Sequence, residues 1–399
     1  MTVTALRKTN QFKGKEKVIF LKFIFWTCLF LVGYSYILYP ILLVVFDKVW
    51  IRKRFEKSDE LPGISIVIAA YNEEKVIKSR LENCLKVDYP RDKLEIIIAS
   101  DGSDDRTCEI VRKYSDKGIV LYDYKERRGK VNVLNETVPK AKNNIIVFSD
   151  ANTMFAHDAL VKIVRNFGDE RVGCVCGGLH FVNPKDGNTG ELEGIYWKYE
   201  TVMKIVEGRH GFLLGCNGAI YAIRKELYEK CEEDTIIEDF VLPMRILQKG
   251  RAVIYDPGAV AIEESAAQII QEKHRRIRIG AGDFQALFRL LPMLNPLRGL
   301  SAIAFLSHKV LRWFAPFFLI IIFLSNLFLL KEKLYLMVYA AQCFFYMSAI
   351  IGQLFNKFGI NLKGFSLCYY FVSMNVALFL GFFRYIKGTQ SVAWLRTER

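Results

Sequence analysis

The run from Val18 to Phe46 is apolar almost without interruption, and it restricts the fold more than any other stretch of the chain. About 20 apolar residues in a helix cross a bilayer core, whereas a helix of a soluble domain carries one apolar stripe and a polar face. The run therefore predicts a membrane-crossing helix, with Gly33 and Pro40 as points where it can kink. It is longer than the apolar part of a signal peptide and lacks a small-residue cleavage site, so it is expected to stay as an anchor. Three further runs near spanning length follow at the other end, about Trp313–Leu330, Leu334–Leu354 and Phe365–Phe383.

The middle of the chain has a different period. Ile64–Ala70 is a short β-branched run followed by a polar turn and the helical pattern Val76, Ile77, Leu81, Leu85; Leu94–Ala99, Ile119–Tyr122 and Ile145–Phe148 repeat the theme. Short apolar strands alternating with amphipathic helices predict an α/β domain with a mostly parallel sheet, whose ligands sit beyond the carboxyl ends of the strands. Later segments read as a strand near Val172–Gly178, a helix over Glu191–Val206, a glycine-rich stretch Gly211–Gly218, a strand Ala219–Ile223, a helix over Ile236–Gln248 and a closing strand Val253–Tyr255. The resulting organisation is an anchor and linker over 1–61, a cytosolic catalytic domain over 62–263, amphipathic interfacial helices over 264–312 and transmembrane helices with a tail over 313–399. In the interfacial part, Gln268–Leu290 combines basic and apolar faces, and Ser301–Trp313 does so again with His308, Lys309 and Arg312 on its polar side.

The formal charge of +14 does not point to nucleic acid, because Lys13, Lys15, Lys17, Lys48, Arg52, Lys53 and Arg54 flank the first apolar run, where they face anionic head groups of membrane lipid. Nine cysteines show no paired CxxC spacing and lie in apolar contexts, as expected of reduced thiols in the cytosol; Cys174-Val175-Cys176 reads as a strand. One span before the catalytic domain and three after it would put both basic tails outside, against the positive-inside rule. Either the first run is a hairpin or partly re-entrant, and one C-terminal run likewise, or the rule is broken here.

Acidic groups recur at predicted strand ends. Asp101 in Asp101-Gly102-Ser103 is placed to accept from a base or ribose, while Asp104 and Asp105 also suit the start of a helix, where the dipole favours acids. Asp150 and Asn152, two apart at a strand end, present oxygens that suit Mg2+ or Mn2+, with phosphates and water completing the shell; Asn152 equally suits a helix N-cap. Glu238-Asp239 opens a helix after apolar Ile236-Ile237, a setting for a buried general base as well as for a dipole pair. Arg275, Arg276 and Arg278 offer bidentate donors to a departing diphosphate, or to lipid head groups.

In this order the motifs resemble membrane-embedded family 2 glycosyltransferases, the inverting group that includes cellulose, hyaluronan, chitin and poly-N-acetylglucosamine synthases. The resemblance runs from about Pro62 to the end and implies a GT-A-like α/β domain joined to transmembrane and interfacial α-helices. It implies that the turn after Ala70, with Tyr71, Asn72 and Glu73, lines the nucleotide, that Asp101 and Asp105 hold uracil and ribose, and that Gly129, Lys130, Leu134 and Asn135 approach the nucleotide and diphosphate. Asp150 matches the metal-binding D-x-D whose second Asp is Asn152 here, Asp239 matches the general base beside Glu238, and Gly215–Ile220, with Asn217 and Gly218, resembles the acceptor loop. Trp394, Thr397 and Arg399 resemble a tail motif. The Q-x-x-R-W of long-chain synthases aligns Arg275 with Gln, Arg278 with Arg and Ile279 with Trp, which keeps the diphosphate contact and removes the ring that stacks on acceptor sugar.

The expected activity is transfer from a UDP-hexose or UDP-N-acetylhexosamine to a growing cell-surface polysaccharide, at the plasma (inner) membrane. Two alternatives stand beside it: addition of one sugar to a lipid-linked acceptor, and a nucleotide-gated secretion channel without catalysis.

Overall fold

The computed structural model describes residues 3–50, 54–182, 189–264, 269–358, 360 and 362–391; Gln268 and the tail residues Trp394, Thr397 and Arg399 lie outside them. Eight strands, β1 (Ile64–Ala70), β2 (Leu94–Asp101), β3 (Ile119–Tyr124), β4 (Ile145–Asp150), β5 (Met154–Phe155), β6 (Val172–Val182), β7 (Tyr221–Arg224) and β8 (Ala252–Glu264), form one sheet in the order β3-β2-β1-β4-β7-β6-β8-β5. The first four are mutually parallel, as the alternating pattern predicts. Beyond β4 the sheet is mixed: β7 runs antiparallel to both β4 and β6, β8 is parallel to β6, and β5 is antiparallel to β8. The closing strand is much longer than Val253–Tyr255 and continues past an irregularity in its pairing with β6.

Every residue of β1 is buried, because helices cover both faces of the sheet. Its alternate side chains enter two cores: Ile64, Ile66, Ile68 and Ala70 join one, Val67 and Ala69 the other. The second of these is continuous with Tyr39 and Leu43 near the N-terminus and with Phe284, Phe305 and Trp313 beyond the sheet, so the α/β domain and the flanking helices share one apolar interior. Since β1 leads to β2 on one side while β4 lies on its other side, the chain reverses its strand order between β1 and β4, and a crevice opens at their carboxyl ends.

Three helices are long and apolar enough to cross a membrane: Lys15–Val49, Lys333–Lys357 and Lys363–Ile386. The first is one continuous rod, so the hairpin reading of this run does not hold; a π-helical segment at Tyr34–Leu38 lies between Gly33 and Pro40 and absorbs the local irregularity. The expected span over Trp313–Leu330 is bent, as the re-entrant reading of one C-terminal run allows. Leu300–Trp313 and Ala315–Leu327 meet at 58°, passing the length test only as a bent pair. The 13 residues of Ala315–Leu327 extend about 20 Å, short of a hydrocarbon core of about 30 Å.

The polar side expected on Ser301–Trp313 is not directed at head groups. His308 and Arg312 are buried because the helix Thr189–Arg209 supplies carboxylates for both: His308 Nδ1 lies 2.6 Å from Glu207 Oε1 and its Nε2 3.2 Å from Glu200 Oε2, while Arg312 Nη1 donates to Glu200 Oε1 at 2.7 Å. Arg312 Nε also donates to the Ser35 carbonyl in the π-helical segment, and the Tyr39 hydroxyl donates to Glu207. These bonds tie the first apolar helix to the α/β domain.

Candidate active site

The carboxyl ends of β1 and β2 are joined by a lattice of side-chain bonds. Asn72, with φ of 54°, donates from its amide to Asp104 and accepts from the Asp104 N–H, and its own N–H donates to Ser103 Oγ. Glu73 N–H donates to Thr107 Oγ1 and Glu74 N–H to Asp105 Oδ2. Asp105 Oδ1 in turn accepts from Thr107 N–H at 2.9 Å, so its carboxylate is engaged in the turn that leads into the helix Thr107–Arg112. This lattice fixes the turn carrying Tyr71, whose ring lies 3.9 Å from the Arg127 guanidinium carbon.

Asp101, fully buried at the end of β2, accepts from the backbone N–H of Arg128 at 2.7 Å and of Gly129 at 2.9 Å. Two amide donors fix the turn that starts the helix Lys130–Thr137. The turn passes so close to β2 that a Cβ at Gly102 would lie 2.8 Å from Arg127 N, and the φ of +66° there also selects glycine. Asp101 thereby fixes the origin of Lys130, whose ammonium lies 2.8 Å from Asp150 Oδ1 and 2.7 Å from Glu238 Oε1.

Asp150 ends β4 opposite Ala69 of β1, one residue short of Ala70. Burial by itself would raise its carboxyl, but Lys130, then Arg275 and Arg278, outweigh burial and hold it below the ordinary carboxylate range. Asp239 behaves in the opposite way: burial pushes its carboxyl up to about 6, and the Glu238 charge beside it adds to the effect. The two environments thus drive the proton affinities of neighbouring carboxyls in opposite directions. Gly218 lies on the other side of Asp150; a Cβ there would lie 3.0 Å from Asp150 Oδ2 and 3.4 Å from Lys130 Nζ. The same loop is held to the start of the helix Glu238–Gln248, since Cys216 N–H donates to the Asp239 carbonyl at 2.9 Å. Asn217 is spent within the fold, donating to the Gly177 carbonyl and accepting from Ile220 N–H.

Arg275 and Arg278 are three apart on the helix Ile269–Arg289, here called the arginine helix, and their charges act on Asp150. Arg278 Nη1 donates to the Ile236 carbonyl at 3.1 Å, just ahead of Glu238. Arg276 points elsewhere, to Met374 Sδ and the Tyr370 ring. The apolar face expected to meet lipid is largely covered: Ile277, Ala281, Phe284 and Leu287 are buried, with the Phe284 ring 4.9 Å from that of Phe382.

Asn152 lies on the turn after β4, two residues beyond Asp150. No group of three or more His, Cys, Asp or Glu side chains suited to a metal occurs among the described residues. Asp150 and Asn152 alone would be a sparse oxygen set, of the kind that leaves most of a Mg2+ or Mn2+ shell to phosphate and water, and the lack of a Cβ at Gly218 keeps its own side chain away from Asp150 Oδ2. The described thiols are unbridged, with Cys174 and Cys176 buried in β6, as the strand reading predicts.

Two groups were not singled out from sequence. Arg80, fully buried, donates to Ser149 Oγ at 2.9 Å and lies 4.0 Å over the Phe155 ring, placing a cation behind Asp150. Its signal is a charge on the apolar stripe Ile77, Leu81, Cys84. Asp283 lies on the arginine helix; burial lifts its carboxyl to about 7, with Lys309 opposing and Asp239 adding to the rise. A cavity of about 580 Å3 lined by Asp104, Arg106, Arg112, Asp123 and Lys125, among others, opens on the β3 side of the sheet and includes none of Lys130, Asp150 or Asp239.

The mixed sheet, with Lys130, Asp150, Asp239 and Arg278 gathered in the crevice at its reversal point, is a GT-A-like α/β domain. Residues 65–231 match the family Glycosyl transferase family 2. It is 29% identical over 253 residues to poly-beta-1,6-N-acetyl-D-glucosamine synthase of Staphylococcus aureus, covering 58% of this chain and 57% of that protein. The chain thus aligns with little more than half the length of that relative. A probable glycosyltransferase of Bacillus subtilis, YdaM, is 26% identical over 391 residues, covering 88% of this chain and 90% of its own. The fold is similar to that of the mannosyltransferase PcManGT from Pyrobaculum calidifontis, solved with GDP-Man and Mn2+, at a TM-score of 0.69 and 20% identity over 91% of this chain and 99% of that one.

Proposed function

We propose that the protein is an inverting glycosyltransferase that moves a hexose or N-acetylhexosamine from a UDP-sugar to a growing cell-surface polysaccharide. The observation that carries this reading is the pairing of Asp150, held ionised by Lys130, with Asp239, raised to about 6, in one crevice. Asp239 takes the proton of an acceptor hydroxyl as that oxygen attacks the anomeric carbon, and the diphosphate leaves from the opposite face. Glu238 and Asp150 hold Lys130 in place, and Lys130, Arg275 and Arg278 meet the negative charge that grows on the leaving diphosphate. Asp150 and Asn152 would hold a Mg2+ or Mn2+, which when bound neutralises diphosphate charge. Tyr71 and the turn after Ala70 face the nucleotide, with Glu73, Asp101 and Asp105 fixing the loops around it. Gly218 keeps the acceptor side of the crevice open.

The relatives support this reading: one is named as a poly-N-acetylglucosamine synthase, and the protein of similar fold was solved with a nucleotide diphosphate sugar and Mn2+. The three apolar helices support an integral, multi-pass protein, which this reading assigns to the plasma (inner) membrane with the α/β domain on the cytosolic side. A second reading, addition of a single sugar to a lipid-linked acceptor, is favoured by Ile279, which puts no ring where long-chain synthases carry Trp.

The test is incubation of membranes holding the protein with radiolabelled UDP-sugars and Mg2+ or Mn2+, followed by sizing of the product. A long ladder supports polymer synthesis and a single addition supports the second reading. Nucleotide binding with no transfer from any sugar nucleotide would leave only gating.

A further inference from the structure

The arginine helix and the terminal helix Lys363–Ile386 pack side by side and in the same direction, in a register of steps near one turn. Arg276 meets Tyr370 and Met374, Gly280 meets Ala377 and Gly381, Phe284 meets Phe382, and Phe288 stacks on Tyr385. At the centre there is no side chain on either helix. A Cβ at Gly381 would lie 2.6 Å from both Ala281 N and the Gly280 carbonyl carbon, and a Cβ at Gly280 would lie 3.2 Å from the Ala377 carbonyl oxygen. The obstructing atoms are backbone, which cannot swing aside as a side-chain end can, so a methyl group at position 381 must separate the two helices. The opposite side of the arginine helix is bound to the segment before Glu238: Gln285 Oε1 accepts from Ile236 N–H, Arg278 donates to the Ile236 carbonyl, and Arg289 donates to Thr235 Oγ1. Gly282 lies between these contacts, where a Cβ would be 2.8 Å from Ile237 Cγ2. The helix is thus clamped between a long apolar helix and the strap that ends in the acid pair.

We propose that the Gly280–Gly381 contact is a positioning contact, through which the terminal helix sets how far Arg275 and Arg278 reach over Asp150 and Asp239. Gly280 and Gly381 act through the arginines and touch no substrate. The inference rests on the reading that these arginines hold the leaving diphosphate. It adds that the last apolar helix is part of the catalytic geometry and is more than an anchor.

The experiment uses the full chain in detergent or nanodiscs, and compares UDP with UMP as ligands and as product inhibitors. Gly381→Ala is expected to weaken UDP binding about tenfold, as misaligned charge-assisted bonds are lost, with UMP binding unchanged and kcat reduced at least about tenfold. Gly280→Ala should move both in the same direction by less, because its closest contact is longer. Gly364→Ala, on the same terminal helix with nothing within 4 Å of its Cβ position, should leave both unchanged. Gly381→Ala and Gly280→Ala proteins that bind UDP and UMP as wild type does, or that lose both equally, would overturn the proposal. If Gly381→Ala does not fold, Gly280→Ala alone decides in the same terms. Arg278→Gln separates the two levels: unchanged UDP binding there sinks the diphosphate reading itself, whereas weakened UDP binding there with both glycine variants normal sinks only the positioning role.

Discussion

Lys130 Nζ lies 2.8 Å from Asp150 Oδ1 in a crevice that also encloses Glu238, so one ammonium serves two carboxylates from different parts of the chain. Removing it leaves Glu238, largely buried, and Asp150, with 37% of its side chain exposed, as uncompensated negative charges. Lys130→Met is therefore expected to lower stability by about 1–2 kcal/mol, since solvent screens the exposed carboxylate, and to abolish transfer. Thermal unfolding in detergent together with a transfer assay measures both, and a Lys130→Met protein of wild-type stability would contradict the charge balance described.

Asp239 makes the pH dependence specific. With its carboxyl near 6, transfer should rise with pH through about 6 and then level, since the base must be ionised to accept a proton. Stability should move the opposite way. The folded-state value lies above the ordinary value of about 3.9, so the native state holds a proton that the unfolded chain has released between about pH 4 and 6, and up to about 3 kcal/mol is lost as pH rises through that window. Asp239→Asn should abolish transfer, keep UDP binding and flatten this part of the stability profile; full activity in that variant would remove Asp239 as the base.

Gly218 is expected to tolerate little. A methyl group 3.0 Å from Asp150 Oδ2 must push a carboxylate already fixed by Lys130, so Gly218→Ala should raise the donor KM about tenfold and Gly218→Val more. Steady-state kinetics over a range of donor concentrations reads the effect, and an unchanged KM in Gly218→Val would show that this face of Asp150 is not used.

The buried cluster of Glu200, Glu207, His308 and Arg312 should be a stability determinant distant from the chemistry. Each ring nitrogen of His308 faces a carboxylate, and Arg312 donates to the second of these, Glu200. Arg312→Met alone leaves Glu200 without its guanidinium partner and is expected to cost about 3 kcal/mol or more. Arg312→Met combined with Glu200→Gln should recover much of that loss. A double-mutant cycle on the unfolding midpoint measures the coupling, and strict additivity would show that the two residues do not act as a pair.

The sequence by itself determined the local parts: the apolar runs, the β-branched strands ending in polar turns, the helix opening at Glu238, and the acids and arginines in their order. These follow from periodicity and from turn chemistry, which act over a few residues. It could not say which side chains the chemistry has free. Asp105 and Asn217 match family motifs, yet in the folded chain the first braces the turn before a helix and the second its own turn. His308 and Arg312 look like the polar side of an interfacial helix and are buried because Glu200 and Glu207 arrive from a helix about a hundred residues earlier. Tertiary structure alone decided these points, as it decided that Lys130, Asp150, Glu238 and Arg278 share one crevice. Burial and the distance between charges set the strength of an ionic contact and the proton affinity of a carboxyl, and both arise only when strands distant in sequence lie side by side.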